Sequence, residues 1–520
     1  MARALHELVR DRAERAPTAP AVSDRAGTTT YAGLWDLVRQ CAGVLTERGV
    51  QRGDRVAVFL DKRVENVVAM VAASAMGAMF VPVNPILKPR QVRYILDDSS
   101  ALCMVTTSDR FTALRAEGAV EGVDLVVLVD DGAVGEVPAT ITLVRWYEIV
   151  SSPATDPGYR PVDSDLGAIL YTSGSTGMPK GVVLSHRNLI VGAESVSEYL
   201  ENTAEDVILA ALPLSFDAGL SQVTTALQVG AHVVLVNYLL PRDVVRLCAE
   251  FHVTGLTCVP PLWIQLAAVP WPPEASESLR YFANTGGRMP RSTLDRLRVI
   301  FPAARPFLMY GLTEAFRSTY LDPDQVDHRP DSIGKAIPNA EVLVVRPDGS
   351  CCEAGEPGEL VHRGPLVAQG YWKDPDRTRE RFRPAPSGGS GVAPGELAVW
   401  SGDTVMRDED GFLYFVGRQD EMIKTSGYRV SPTEVEEAAY DTGLVRDAVV
   451  FGVPDDVIGE QIVLVTAVAD AGCTGDDVVA ALRGRLPRFM VPRRVVVLDD
   501  LPRSPNGKFD RNALRTLVTV

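Results

Sequence analysis

Basic runs are missing from this chain of 520 residues, and its formal net charge is −15. Nucleic acid is bound through clustered lysine and arginine, so this balance disfavours it as a partner. Paired cysteines are missing too. The seven cysteines lie at 41, 103, 248, 258, 351, 352 and 473 with no CxxC among them. That pattern suits a reduced, cytoplasmic chain and not a disulfide framework. Cys351-Cys352 reads as a loop pair, and the six histidines show no zinc spacing. The longest apolar run starts at Val67 and reaches Pro82, but Ser74 and Gly77 interrupt it and it falls short of a bilayer span. It reads as a buried helix leading into a strand, with no membrane partner. The N-terminus, Met1-Ala2-Arg3-Ala4-Leu5-His6-Glu7, lacks the apolar core of a secretion leader. Internal repeats and long low-complexity tracts are absent.

Hydrophobic residues make up 46% of the chain, which is too much for one core, so two or more domains are expected. Helical spacing at 34–47 and 64–76 alternates with short apolar strands at 55–60, 125–129, 207–210 and 232–236. Such alternation predicts layered α/β with buried sheets. After about residue 335, Asp348-Gly349, Glu356-Pro357-Gly358 and the Gly/Ser run at 386–391 punctuate short strands, which predicts a β-rich subdomain. The last hundred residues read as a small α+β unit, with helices near 435–439 and 478–486 and strands at 448–453 and 462–466. The short polar segment between Gly417 and Ile423 is a natural hinge.

The most informative stretch is Thr172-Ser173-Gly174-Ser175-Thr176-Gly177-Met178-Pro179-Lys180-Gly181. It holds three glycines, four hydroxyls and a lysine between two apolar strands. Glycines let backbone N–H groups approach an anion, and the hydroxyls and lysine add donors and charge, so the loop suits a polyphosphate. The spacing is not that of the GxxxxGK[ST] P-loop, because Lys180 follows Gly177 by three and precedes Gly181.

Together with Tyr310-Gly311-Leu312-Thr313-Glu314, Ser401-Gly402-Asp403, Gly417-Arg418-Gln419-Asp420 and Pro505-Asn506-Gly507-Lys508, the loop resembles the adenylate-forming superfamily. That superfamily includes acyl-CoA synthetases, firefly luciferase and the adenylation domains of nonribosomal peptide synthetases. The resemblance implies a large N-terminal domain, 1–419, of layered α/β subdomains plus a β-rich one. A small mobile α+β C-terminal domain, 420–520, would turn about a hinge at Asp420. It also implies two half-reactions: a carboxylate attacks the α-phosphate of ATP, giving an acyl-adenylate and pyrophosphate, and a thiol then takes the acyl group.

The implied roles agree with the chemistry of the residues. Joining two anions needs oriented donors and positive charge. Thr172, Ser173, Gly174, Ser175, Thr176, Gly177 and Lys180 would hold the phosphates. Glu314 is a hard oxygen ligand for Mg²⁺, and Thr313 beside it can bond a phosphate oxygen. Tyr310 and Gly311, with Gly286-Gly287, would approach adenine. Asp403 would accept from the ribose hydroxyls, with Arg418 near ribose or phosphate. Lys508, on the turn Asn506-Gly507, resembles the family's catalytic lysine for adenylation. By the same resemblance, rotation at Asp420 would withdraw Lys508 and bring Lys424-Thr425-Ser426-Gly427-Tyr428-Arg429 to the site.

The acid to be activated is addressed by Phe216-Asp217-Ala218, which resembles the Phe-Asp-Ala of amino-acid adenylation domains. There the Asp pairs with the substrate ammonium, and a carboxylate in an apolar pocket needs such a partner. A second reading makes Ser215 or Asp217 the cap of a helix running from about Gly219 to Val229 and ended by Gly230. By resemblance Ser221, Ala283, Thr285, Met309, Arg317 and Ser318 would line the side-chain pocket. Similarity to freestanding prolyl-AMP ligases implies L-proline as substrate, although Arg317 does not obviously suit its ring. The expected acceptor is the phosphopantetheine thiol of a separate peptidyl carrier protein, because no carrier sequence follows Lys508. An acyl- or aryl-CoA ligase, with CoA as acceptor, is the alternative.

Overall fold

The computed structural model describes residues 2–172, 179–287, 289, 291–386, 393–418, 423–430, 432–470, 472–502 and 511–519. Ser173, Gly174, Ser175, Thr176, Gly177, Asp420 and Lys508 lie outside them, as does the side chain of Arg418.

Three sheets organise the chain. The first runs Thr142–Arg145, Leu125–Leu128, Cys103–Thr106, Arg55–Phe59, Met79–Pro82, Leu166–Thr172, Lys180–Ser185. Its first six strands are parallel, and the last pairs antiparallel with Leu166–Thr172. Cys103–Thr106 and Leu125–Leu128 are buried throughout, as expected of parallel strands covered on both faces. The apolar run noted above resolves into the helix Val64–Ala75, a turn at Gly77 with φ +76°, and the strand Met79–Pro82. The final hairpin holds the two ends of the loop 173–179, with Thr172 paired to Lys180.

The second sheet contains the parallel strands His232–Leu235, Val207–Ala210, Gly255–Cys258, Tyr281–Asn284 and Arg305–Tyr310. Helices Asp217–Val229 and His186–Tyr199 pack between it and the first sheet, where Val58, Val68, Leu189, Val223 and Ala210 share one core. The β-rich region is not a separate sheet. Thr319–Leu321 folds back antiparallel on Arg305–Tyr310 and continues the same sheet into Ser332–Ala336, Leu413–Arg418, Leu397–Arg407, Pro357–Arg363 and Glu341–Val345. An antiparallel return needs only a short connection, and residues 311–318 supply one where a crossover helix would otherwise stand. The third sheet, Tyr428–Val430, Ile423–Thr425, Gly459–Val468, Val445–Asp455 and Arg494–Val497, carries helices Pro432–Tyr440 and Gly475–Arg485. This is the expected α+β unit.

One glycine fixes the start of the helix that bears Asp217. A Cβ at Gly219 would stand 1.9 Å from Pro213 O and 2.9 Å from Leu212 O, both backbone atoms that cannot turn aside. Gly219→Ala is expected to lower stability by roughly 3 kcal/mol, the upper end for overpacking. A urea midpoint within error of the parent would contradict that steric account.

Candidate active site

A cleft of about 2010 Å³ opens between the sheets, lined among others by Thr172, Lys180, Asp217, Gly286, Tyr310, Glu314, Arg317 and Gly402. Strand ends deliver most of these groups. Arg305–Tyr310 ends at Tyr310, a short loop carries Gly311, and a single 3₁₀ turn, Thr313–Ala315, turns Glu314 inward.

Three side chains meet beside the ends of the loop 173–179. Lys180 Nζ donates to Glu314 Oε1 at 2.9 Å and to the Tyr371 hydroxyl at 2.8 Å. The Tyr371 hydroxyl donates to the same Oε1 at 2.6 Å. Burial alone would raise the Glu314 carboxyl. Lys180 and Tyr371, with Arg429 farther off, instead hold it well below the usual carboxylate range. Burial pulls the Lys180 ammonium down while Glu314 opposes the shift. The site therefore keeps a buried ion pair ready at the mouth of the loop. The Thr172 hydroxyl nearby is buried with no hydrogen-bond partner among the described residues. An anion with a divalent cation would fit this set: a hard carboxylate for the metal, a lysine and an unpartnered hydroxyl for oxygens.

The residues expected to meet the nucleoside also lie together. The Tyr310 hydroxyl donates to Asp403 Oδ2, and Asp403 is 1% exposed. Asp403 N donates to Ser401 Oγ at 3.0 Å, which donates to Leu360 O at 2.7 Å. Arg418 pairs with Asp403 across the strands, which fixes its backbone beside that carboxylate. Gly286, with φ +76°, has Val259 Cγ1 3.1 Å and Gly427 O 3.6 Å from where a Cβ would stand. Gly287 O accepts from Asn284 Nδ2 at 2.8 Å.

The segment after the expected hinge already sits in the cleft. Thr425 and Tyr428 pair around Ser426-Gly427, both with positive φ, giving a two-residue hairpin of the primed type. Its tip meets Gly286, and Tyr428 lies edge-on to Phe216 at 5.2 Å and stacked on Phe489 at 3.6 Å.

At the acid end the helix begins at Asp217 itself, with Phe216 in the cap position and no side-chain cap. The capping reading therefore fails for both candidates: the buried Ser215 Oγ has no partner among the described residues, and Asp217 turns elsewhere. Arg317 Nη1 donates to Asp217 Oδ2 at 2.8 Å, with side-chain exposures of 4% and 16%. A strained bend aims Arg317 there. Phe316 has φ +58° and ψ −64°, and Arg317 N bonds Ala315 O at 2.7 Å, a γ-turn of the rare positive-φ kind. Thr285 and Met309 line the cleft, and Ala283 is a fully buried strand residue behind them. Met309 Sδ accepts from the Tyr199 hydroxyl at 2.9 Å. Ser221 lies behind Arg317 in a separate compartment. Ser318 turns away from the cleft, its Oγ 3.1 Å from Nδ1 of the buried His362.

Sequence reasoning missed two residues here. Tyr371 follows Gly370 with no motif to mark it. Lys62, in Asp61-Lys62-Arg63, has the look of a solvated triplet. Its Nζ instead donates to Ala211 O at 2.6 Å, and burial brings the ammonium down to about 7. It anchors the backbone just ahead of Asp217.

Comparison with known proteins agrees with this geometry. The model of the AMP-binding enzyme family matches residues 9–372, and that of the AMP-binding enzyme C-terminal domain matches residues 434–508. An L-proline–[L-prolyl-carrier protein] ligase of Pseudomonas fluorescens is 32% identical, covering 99% of this chain and 99% of its own. A long-chain-fatty-acid–CoA ligase of Salmonella typhimurium is 29% identical over 98% of this chain and 94% of its own. The solved amide bond synthetase of Marinactinospora thermotolerans superimposes with a TM-score of 0.83 at 26% identity, covering 99% of each chain.

Proposed function

We propose that this chain, which belongs to the AMP-binding enzyme family and is an AMP-forming ligase, activates an amino acid as its aminoacyl-adenylate. It then passes the acyl group to the phosphopantetheine thiol of a separate carrier protein. The observation that carries the reading is Asp217. It is a carboxylate on the cleft wall, and among the described residues only its Oδ2 is engaged. The remaining oxygen is suited to a substrate ammonium, whereas a fatty acid offers it nothing. The full-length similarity to the L-prolyl-carrier protein ligase supports an amino acid and a carrier, and makes L-proline the first acid to test.

In this reading Lys180 moves from Glu314 to the phosphates, joined by Thr172 and the loop 173–177. Glu314 would hold Mg²⁺, which supplies charge neutralisation at the phosphates when bound. Asp403 accepts from the ribose and Tyr310 covers adenine. Lys508 is assigned the developing charge of the first half-reaction. The hinge at Asp420 would exchange Lys508 for the Ser426-Gly427 hairpin, which leads the thiol to the adenylate.

ATP–pyrophosphate exchange across the amino acids tests the first step. Exchange is expected with an amino acid, and Asp217→Ala should lose roughly 100-fold in kcat/KM while ATP affinity changes little. Exchange with fatty or aryl acids alone would sink the amino-acid reading. The similarity to the fatty-acid–CoA ligase supports a second reading, which thioester formation with CoA and no carrier protein would establish.

A further inference from the structure

We propose that Arg317 determines specificity, and that the acid activated here is an amino dicarboxylate. The inference rests on the amino-acid reading above and names the substrate class within it. Arginine is charged at every relevant pH, and this one is 3% exposed. Its ion-pair partner among the described residues is Asp217, through Nη1, which also reaches Phe316 O at 3.2 Å. The Nε of the same guanidinium is buried and has no hydrogen-bond partner among the described residues. A buried donor on a cation is costly to leave unmade, so it calls for an acceptor.

Charge balance narrows what that acceptor is. By themselves, Asp217 and Arg317 cancel. A substrate ammonium arriving at Asp217 places two cations on one carboxylate inside a buried pocket. Once the reacting carboxylate is bonded to the α-phosphate its own charge is gone and the adenylate's remaining negative charge lies on phosphate, so a neutral amino acid brings no anion to Arg317. An amino acid with an anionic side chain removes the excess, because the second carboxylate accepts from the unpartnered N–H of the guanidinium while the ammonium takes Asp217. Proline or alanine brings no such anion, and a fatty acid brings no ammonium.

The same side chain bounds the cleft on one side. Arg317, Met309 and Ala218 line both the main cleft and a compartment of about 20 Å³, whose other walls include Ser221, Thr225 and Gln222. That volume holds about one water, so no long chain continues past Arg317 into this compartment. The strained Phe316 turn fixes the guanidinium in this place, and Gly311 keeps room for it, since a Cβ there would stand 3.0 Å from Arg317 Cα.

The test is ATP–pyrophosphate exchange by the full chain with four sets of acids: amino dicarboxylates, neutral amino acids including proline, dicarboxylates without an amino group, and monocarboxylates. Amino dicarboxylates are expected to give the highest kcat/KM. Arg317→Gln should cost them about 100-fold and should cost neutral amino acids markedly less, so that the preference between the two sets falls. Arg317→Lys, which keeps the charge, should recover part of the loss. Because Arg317 is buried, ATP affinity and thermal midpoint are measured on each variant, and the panel on the unaltered enzyme stands without them. A best rate with proline or another neutral amino acid overturns this inference and leaves the amino-acid reading intact. Exchange only with acids lacking the amino group overturns both.

Discussion

Lys180→Ala will lower ATP–pyrophosphate exchange by roughly 10²–10³, the loss expected when a preorganised donor to developing charge is removed. It will also destabilise the protein, which a lysine serving the nucleotide alone would not do. Glu314 is 5% exposed and takes both its hydrogen-bond donors, Lys180 and Tyr371, on Oε1. Removing Lys180 leaves a buried carboxylate with one neutral donor, at a cost of about 3 kcal/mol. The discriminating double variant combines Lys180→Ala with Glu314→Gln, which removes the stranded charge. Its urea midpoint should return toward the parent while exchange stays lost. A parental midpoint for Lys180→Ala alone would show that the pair carries no structural weight.

Acid will unfold the protein earlier than its carboxylates would dictate. Burial lowers three histidines, His6, His186 and His362, each to about 4 from an ordinary value of 6.5. His6 is further depressed by His186, whereas Glu7 and Asp165 oppose the shifts. Between pH 6.5 and 4 the unfolded chain binds protons that the folded chain refuses, so stability falls as pH falls through that window. Each histidine contributes about 1.4 kcal/mol per pH unit at full imbalance, and the three together approach about 4. Folding free energies of about 5–15 kcal/mol cannot absorb that slope for more than a few units. Urea midpoints should therefore drop steeply from pH 6.5 to 5, above the range where Glu314 titrates. A flat midpoint across that interval would exclude the account.

What was legible in the sequence was what is local. The strand–loop–strand at 166–184, the helix-then-strand from Val64 and the Gly230 stop all follow from periodicity and turn chemistry within a dozen residues. The proposed phosphate-side residues were read from what the reaction demands, donors in a loop and a hard carboxylate. The pairing of Asp217 with Arg317 was not, because it joins positions 100 apart and depends on a backbone bend at Phe316 that no composition signals. Lys62 and Tyr371 were hidden for the same reason: their partners are a backbone carbonyl and a carboxylate supplied by distant strands. The continuity of the β-rich region with the central sheet turned on one short return, Thr319–Leu321, which reads as loop.

The contact between Gly286 and the Ser426-Gly427 hairpin has a consequence for how closely the two segments can pack. A Cβ at 427 would lie 2.8 Å from Val259 Cγ1, and one at 286 would lie 3.1 Å from the same atom. Two bare α-carbons and one valine methyl therefore set how closely this hairpin seats beside Gly286. That depth is measured out by missing side chains, and a single methyl at either glycine would push the two segments apart.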